Sequence, residues 1–210
     1  MLKVLFIEDH AIVREGLKQI LADTSDIMVA DEACDGEEAL EKVRDDDFDI
    51  AVLDISMPGR SGLEILKELK VMRPSMPVLI LSMYPEELYA VRAFKSGAAG
   101  YLSKESAPTE LITAIRKVSS GGKYVSPSLA ENLVLNLGED DGKPLHDKLS
   151  EREYQILCMI ASGKTGKEIA SELNLSAKTV STYRARVLEK MGMRSNAELT
   201  HYALQNGLVF

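Results

Sequence analysis

The sequence predicts an α/β domain followed by an all-α one: a doubly wound (βα)5 fold with a parallel sheet, a linker, and a four-helix unit. Three observations carry this. Short apolar runs rich in β-branched residues alternate five times with amphipathic segments of helical length across the first 120 residues. A charged, turn-rich stretch, Gly138-Glu139-Asp140-Asp141-Gly142-Lys143-Pro144, then breaks the pattern. From Ser150 onward every signal is helical.

The strands come first. Val4–Ile7, Met28–Ala33, Ile50–Leu53, Val78–Leu81 and Gly100–Leu102 read as buried parallel strands, apolar on both faces. Between them, Ala11–Leu21 places Ile12, Val13, Leu17, Ile20 and Leu21 on one face of a helix. The segments Asp35–Arg44, Gly62–Met72, Glu86–Lys95 and Pro108–Val118 behave likewise. Five βα units in succession predict right-handed crossovers and a ligand crevice beyond the carboxyl ends of the strands.

Residues 1–122 form the first domain, and 123–148 read as a linker. A helix is expected over 126–137, with Ser126 as its cap and Pro127 at its first position. Residues 149–210 form the second domain. Ser150-Glu151-Arg152-Glu153 and Thr165-Gly166-Lys167-Glu168 are capping boxes, each opening a helix. Ser176 caps a third helix running to about Met191, and a fourth starts near Ser195-Asn196 and ends before Gly207.

Charge divides along the same boundary. The net charge is −8, but residues 1–122 hold 22 acidic and 14 basic side chains while residues 150–210 hold 6 and 8. An acidic unit joined to a mildly basic one fits a control domain attached to a module that meets a polyanion. No apolar run approaches the ~18–20 residues that span a bilayer. The start, Met1 to Asp9, reaches two carboxylates before a signal-peptide core could form, so a cytoplasmic location without membrane attachment is expected. Cys34 and Cys158 lie far apart in apolar stretches and read as small buried hydrophobes. The three histidines, His10, His146 and His201, show no ligand spacing among themselves or with the cysteines, so no zinc site is expected.

The first domain carries its chemistry at the strand ends. Glu8 and Asp9 close the first strand and Asp54 the third, so adjacent strands bring three carboxylates into one crevice. Such a cluster repels itself unless a hard cation sits in it, and Mg²⁺ takes oxygen ligands of this kind. The fourth strand ends in Ser82, a hydroxyl, and Lys104 follows the fifth. A carboxylate nucleophile, a divalent cation, a hydroxyl and an ammonium together form a phosphoryl-transfer constellation. Taken singly, a carboxylate or lysine at a strand end is ordinarily just a solvated terminus. The joint placement, at four strand ends in this order, is what separates the two readings.

These residues carry a resemblance. Glu8-Asp9-His10, the run Leu53-Asp54-Ile55-Ser56-Met57-Pro58-Gly59, Ser82, and Gly97-Ala98-Ala99-Gly100-Tyr101-Leu102-Ser103-Lys104 resemble a two-component receiver domain across residues 1–120. The resemblance implies that Asp54 accepts a phosphoryl group. It implies that Glu8, Asp9 and Asp54 hold Mg²⁺ with the Ser56 carbonyl, that Ser82 and Tyr101 are a switch pair, and that Lys104 contacts phosphoryl oxygens. Two departures stand out: the acidic pair is Glu-Asp where Asp-Asp is commoner, and Glu105 follows Lys104 where many receivers carry proline.

Residues 149–209 are similar to the LuxR-type helix-turn-helix domain. The carriers are Leu149-Ser150-Glu151-Arg152-Glu153, Lys167-Glu168-Ile169-Ala170-Ser171-Glu172-Leu173, and Leu175-Ser176-Ala177-Lys178-Thr179-Val180-Ser181-Thr182-Tyr183. With a receiver in front, the chain resembles the NarL/FixJ family, and the run Lys178–Arg186 is nearest to its GacA/UvrY branch. The physical reading stands beside the likeness. On the 176–191 helix, Val180, Tyr183, Val187 and Met191 recur at spacings of three and four and form the buried stripe. Lys178, Ser181, Thr182, Ala185 and Glu189 face the other way, as a helix entering the major groove requires. Phosphate contact is expected from Lys178, Thr179, Arg184, Arg186 and Lys190. Base contact is expected from Ser181 and Thr182, with Ala185 against a thymine methyl. The last helix presents Leu199, Tyr202 and Ala203, which the likeness implies as a face that pairs two copies.

The function implied is a transcription factor, not an enzyme. A histidine kinase donates the phosphoryl group to Asp54, and the phosphorylated chain binds double-stranded DNA as a homodimer. A hydrolase using Asp54 as nucleophile is disfavoured because Ser56 stands where such enzymes usually place a second acid. A receiver kept only as a docking module is disfavoured by the intact set of Asp54, Ser82 and Lys104.

Overall fold

The computed structural model describes residues 1–57, 60–127, 129–130 and 144–209. The chain divides into two compact units, Met1–Gly138 and Glu139–Phe210. The first is the expected α/β fold. Its strands β1 (Leu2–Ile7), β2 (Ile27–Ala33), β3 (Ile50–Asp54), β4 (Val78–Ser82) and β5 (Gly100–Ser103) form one sheet in the order β2-β1-β3-β4-β5. Every neighbouring pair is parallel. The order reverses between β1 and β3, which puts the crevice of a doubly wound sheet at the carboxyl ends of those two strands.

The helices are α1 (Ala11–Ala22), α2 (Gly36–Asp45), α3 (Gly62–Met72), α4 (Glu86–Lys95) and α5 (Ala107–Ser119). Helix α1 packs beside α5, and α2 beside α3. Phe6, Val52, Leu79 and Leu81 meet Leu17, Leu111, Ile115 and Val118 in one core. Each fully buried aliphatic side chain there contributes about 1.5–3 kcal/mol. Helix α2 starts where Asp35 accepts the Glu38 amide at 2.9 Å, so Asp35 is its cap rather than its first residue. Gly62, which opens α3, lies so close to β3 that an added Cβ would stand 2.4 Å from the Asp54 carbonyl oxygen. Only glycine lets α3 start against the strand that carries Asp54.

Past α5, Tyr124 pairs along β5: its amide donates to the Ala99 carbonyl at 3.0 Å and its carbonyl accepts the Tyr101 amide at 3.2 Å. The helix expected over 126–137 lies for the most part outside the described residues, as does the turn-rich stretch before Pro144.

The second unit opens with a short 3₁₀ turn, Leu145–Lys148, for which the sequence carries no signal. Four helices follow: α6 (Glu151–Ala161), α7 (Gly166–Glu172), α8 (Ala177–Met191) and α9 (Asn196–Gln205). Their starts follow the capping chemistry of the sequence. Ser150 and Glu153 cap α6 reciprocally, and Thr165 and Glu168 do the same for α7. Ser176 accepts the Thr179 amide at 3.0 Å, and Ser195 accepts that of Glu198. Between α7 and α8 the chain turns through Asn174 in the left-handed region (φ 51°), a conformation that asparagine tolerates.

Four details bear on the sequence reading, three of them as corrections. Ile12, placed on the buried face of α1, is 89% exposed; Val13, Leu17, Ile20 and Leu21 span the arc that the sheet covers. Cys34 is exposed because it follows the last residue of β2, where the sheet no longer shields it. Tyr183 is only half-buried, leaving Val180, Val187 and Met191 as the buried stripe of α8. Among the described residues, no helix is long and apolar enough to cross a membrane.

Candidate functional site

The crevice at the β1/β3 reversal gathers the predicted acidic residues. Asp54, the last residue of β3, is 1% exposed, and Glu8, the first after β1, is 2% exposed. Lys104, just past β5, reaches across the strand ends and places its ammonium 2.7 Å from Asp54 Oδ2 and 2.6 Å from Glu8 Oε2. Its backbone amide donates to the Ser82 carbonyl at 2.8 Å, which ties the β5–α5 loop to the end of β4. The Ser56 amide donates to Asp54 Oδ1 at 2.8 Å, leaving Oδ2 to the lysine.

Burial pushes the Asp54 carboxyl up, and Glu8 pushes it the same way, against the pull of Lys104. For Lys104, burial pulls the ammonium down, but the carboxylates of Asp54 and Glu8 prevail and hold it above its ordinary value. Glu8, Asp9 and Asp54 bring three carboxylates against this one lysine. The excess negative charge and the low dielectric call for a further cation. The donor set fits a hard one. Glu8, Asp9, His10 and Asp54 each offer a ligand atom within 4.8 Å of the others, and Asp9 Oδ1 is buried without accepting a hydrogen bond. Carboxylate oxygens in this number are the ligands that Mg²⁺ prefers.

Arg14, one turn into α1, holds the acidic loop. Its guanidinium donates to the Glu8 carbonyl at 2.6 Å and, through Nε, to Glu32 at 2.9 Å. Ser82 is fully buried and its hydroxyl accepts the Tyr84 amide at 3.0 Å. The Tyr101 ring is buried, and its hydroxyl donates to the Tyr84 carbonyl at 3.0 Å. Burial pushes the Tyr101 phenol far up, so it remains a donor at every ordinary pH.

In the second unit α7 and α8 are joined by the short turn at Leu173–Ser176. The outer face of α8 carries Lys178, Ser181, Thr182, Ala185 and Arg186, all exposed, while Thr179 and Arg184 are half-buried. Thr182 donates its hydroxyl to the Lys178 carbonyl at 3.0 Å. Arg184 Nε donates to Asn196 at 2.6 Å. Lys190 donates to Glu153 at 2.6 Å and thereby fastens α8 to the cap of α6. Burial raises the Glu153 carboxyl, but Lys190 and the Ser150 amide outweigh it and hold it below the usual carboxylate range.

Comparison with known proteins follows this division. Residues 4–116 match the response regulator receiver domain, and residues 147–203 match the luxR family of bacterial regulatory proteins. The response regulator UvrY of Escherichia coli K12 is 39% identical over 209 residues, covering 99% of this chain and 96% of its own.

The chain belongs to the LuxR-type response regulators.

The response regulator GacA of Pseudomonas aeruginosa is 38% identical over 211 residues, covering 100% of this chain and 98% of its own. Among solved structures, RcsB from Salmonella enterica serovar Typhimurium, bound to promoter rprA in the presence of the phosphomimetic BeF3⁻, matches with a TM-score of 0.65. It is 26% identical and covers 96% of this chain and 97% of its own.

In this response regulator the carboxylates of Glu8, Asp9 and Asp54, the Ser56 amide and the Lys104 ammonium meet in one pocket. Ser82 and Tyr101 meet at Tyr84 beside it. Three participants escape a reading of the sequence. His10 has no ligand spacing to the other histidines or the cysteines, and only its place directly after the acidic pair could have marked it. Arg14 carries no motif signal of its own, and Tyr84 acts through its backbone. One further expectation is corrected: Leu199 and Ala203, implied as a pairing face on α9, are both fully buried within the second unit. The outer side of α9 carries Ala197, His201 and Leu204 instead.

Proposed function

We propose that this response regulator is switched by phosphorylation of Asp54 and that the switched form binds DNA through α8. A sensor histidine kinase supplies the phosphoryl group. A carboxylate oxygen of Asp54 attacks phosphorus, the phosphorus–nitrogen bond of the donor phosphohistidine breaks, and the imidazole leaves. Asp54 is thus a covalent acceptor and not a turnover catalyst. Glu8, Asp9 and Asp54, with the Ser56 carbonyl, are the ligands for Mg²⁺, which supplies charge neutralisation for the transfer when bound. Lys104 holds a phosphoryl oxygen, and Ser82 with Tyr101 relays the new charge. The observation that carries this reading is the buried Asp54 held 2.7 Å from Lys104 in a pocket with more carboxylates than cations.

On α8, Lys178, Thr179, Arg184, Arg186 and Lys190 contact phosphates, Ser181 and Thr182 read bases, and Ala185 lies against a thymine methyl. Lys190 reaches DNA only by giving up Glu153, and Arg184 by giving up Asn196. The phosphorylated chain acts as a homodimer on double-stranded DNA, since two recognition helices address half-sites about one helical turn apart. The RcsB structure bound to a promoter supports the DNA-binding part of this reading, and a structure of two RcsB dimers bound to two parallel DNAs supports the dimer. Residues 1–122 constitute the receiver, 123–148 the linker and 149–210 the DNA-binding domain, in a cytoplasmic protein without membrane attachment.

The test is Asp54→Asn, which keeps the shape and removes the nucleophile. Incubated with acetyl phosphate and Mg²⁺, the unsubstituted chain gains one phosphoryl group by intact mass and the variant gains none. A variant that still gained one would place the acceptor elsewhere.

A further inference from the structure

The linker is anchored on the first unit at its opening residues. Tyr124 lies along β5 through its two backbone hydrogen bonds, to Ala99 and Tyr101. Gly100 sits between those partners, and an added Cβ there would stand 2.8 Å from Tyr124 Cβ, so only glycine admits the linker this close. Two side chains fasten the same stretch to neighbouring helices. The Tyr124 phenol donates to Glu110 Oε2 of α5 at 2.7 Å, and the Ser126 hydroxyl donates to Glu86 of α4. Burial, and then the Glu110 carboxylate, push the Tyr124 phenol far up, so it keeps its proton and stays a donor. Pro85, Glu86, Tyr101, Glu110, Tyr124 and Ser126 line a cavity of about 400 Å³. The stretch thus borders open space and is fastened by directional hydrogen bonds, which weaken steeply when bent.

These anchors lead back to Ser82 and Tyr101. The Tyr101 amide is itself one of them. Glu86 stands two residues after Tyr84, whose amide meets the Ser82 hydroxyl and whose carbonyl meets the Tyr101 hydroxyl. The Tyr84 ring stacks on Tyr89 of α4, with centroids 4.7 Å apart, so a shift of Tyr84 carries the start of α4 and Glu86 with it. A bound group moves an equilibrium only through contacts that differ between two states, and bonded networks with two arrangements carry such coupling. We propose that residues 124–126 are a strap that holds the linker on the unphosphorylated receiver and detaches when Asp54 is phosphorylated. Held at its start, the linker restricts where a DNA-binding domain can reach. Detached, it lets two copies meet half-sites about one helical turn apart. The strap therefore keeps the resting chain in a low-affinity form. This inference rests on the reading of Asp54 as phosphoacceptor and of α8 as the DNA-binding helix.

The experiment uses the full chain, with acetyl phosphate and Mg²⁺ as the phosphorylating probe. On phosphorylation the amides of Tyr124 and Tyr101 are expected to exchange faster with deuterated solvent, because the bonds between β5 and the strap open. The double variant Tyr124→Phe, Ser126→Ala removes both side-chain fastenings and leaves the pocket untouched, so its phosphoryl gain by intact mass should match that of the unsubstituted chain. Without phosphorylation it should already bind a duplex selected by the phosphorylated protein more tightly than the unsubstituted chain does. That increase should take up most of the about 5–150-fold gain that phosphorylation otherwise brings. Unchanged or slower exchange at Tyr124 and Tyr101, or a resting DNA affinity in the double variant no higher than that of the unsubstituted chain, would overturn the inference alone. If the unsubstituted chain gained no phosphoryl group, or gained one without any change in DNA affinity, the reading of Asp54 and α8 would fail and the inference with it.

Discussion

The phosphoacceptor pocket and the outer face of α8 both rest on charged side chains, but they use them in opposite ways. In the pocket, Asp54, Glu8 and Lys104 are buried, each fixed by a strand end and mutually bonded. On α8, Lys178 and Arg186 stand in solvent on a single helix. Charges in the pocket interact strongly because little water screens them, and removing one leaves its partners uncompensated. Charges on the helix are screened, individually weak, and useful as a set against a polyanion. The first arrangement suits an on–off covalent event, and the second suits graded affinity.

The comparison breaks most visibly at the two lysines. Lys104→Ala is expected to destabilise the receiver by about 3–5 kcal/mol at neutral pH, because Asp54 and Glu8 lose their common partner. Part of that loss should return as pH falls, since the raised carboxyl of Asp54 then protonates readily. Lys190→Ala, at an ion pair whose lysine is 42% exposed, should cost about 1 kcal/mol or less. Urea unfolding of both variants at pH 7 and pH 5 checks this. Equal costs at pH 7 would erase the distinction between the two regions.

A second contrast lies within α8 itself. Thr182→Ala should cost about 1–3 kcal/mol at one base-pair position and leave the salt dependence alone. Arg186→Ala should weaken binding to every sequence and reduce the salt slope by about one ion. Titrations on a specific and a scrambled duplex at several salt concentrations separate the two. Uniform weakening by Thr182→Ala would mean that α8 turns a different face to the groove.

The smallest effect expected is on acid stability. Glu153 is held below its ordinary value, so its contribution is present above the unfolded carboxylate pKa, about 4.3, and is lost as pH falls through the depressed folded value. Thermal melts of the full chain between pH 6 and pH 3 should show this branch, and Lys190→Ala should flatten it. An unchanged slope would assign the depression to the Ser150 amide alone.

How legible each region was in the sequence follows from the same contrast. The pocket could be read because strand ends are fixed by apolar runs, and parallel register carries Glu8, Asp54, Ser82 and Lys104 to one edge. Among the described residues, the strands and helices of the first unit ended within one or two residues of expectation. What escaped was local. Ile12 neighbours Val13 in sequence but lies about 100° away around the helix, outside the arc that the sheet buries. Leu199 and Ala203 suggest a pairing face, yet apolar periodicity cannot tell a partner from the domain's own core, and in this chain α6 packs against α9. Arg14 and Tyr84 act on or through the backbone, where residue type gives little signal.

The central claim is that the buried event at Asp54 governs the exposed one at α8. It is tested by the DNA affinity of the full chain, before and after acetyl phosphate with Mg²⁺, on a duplex selected from random sequence by the phosphorylated protein. Phosphorylation should tighten binding by about 5–150-fold, the usual range of coupling between sites, and Asp54→Asn should bind as the unphosphorylated chain does under both conditions. Equal affinity with and without phosphorylation, or the same tightening in Asp54→Asn, would contradict the account.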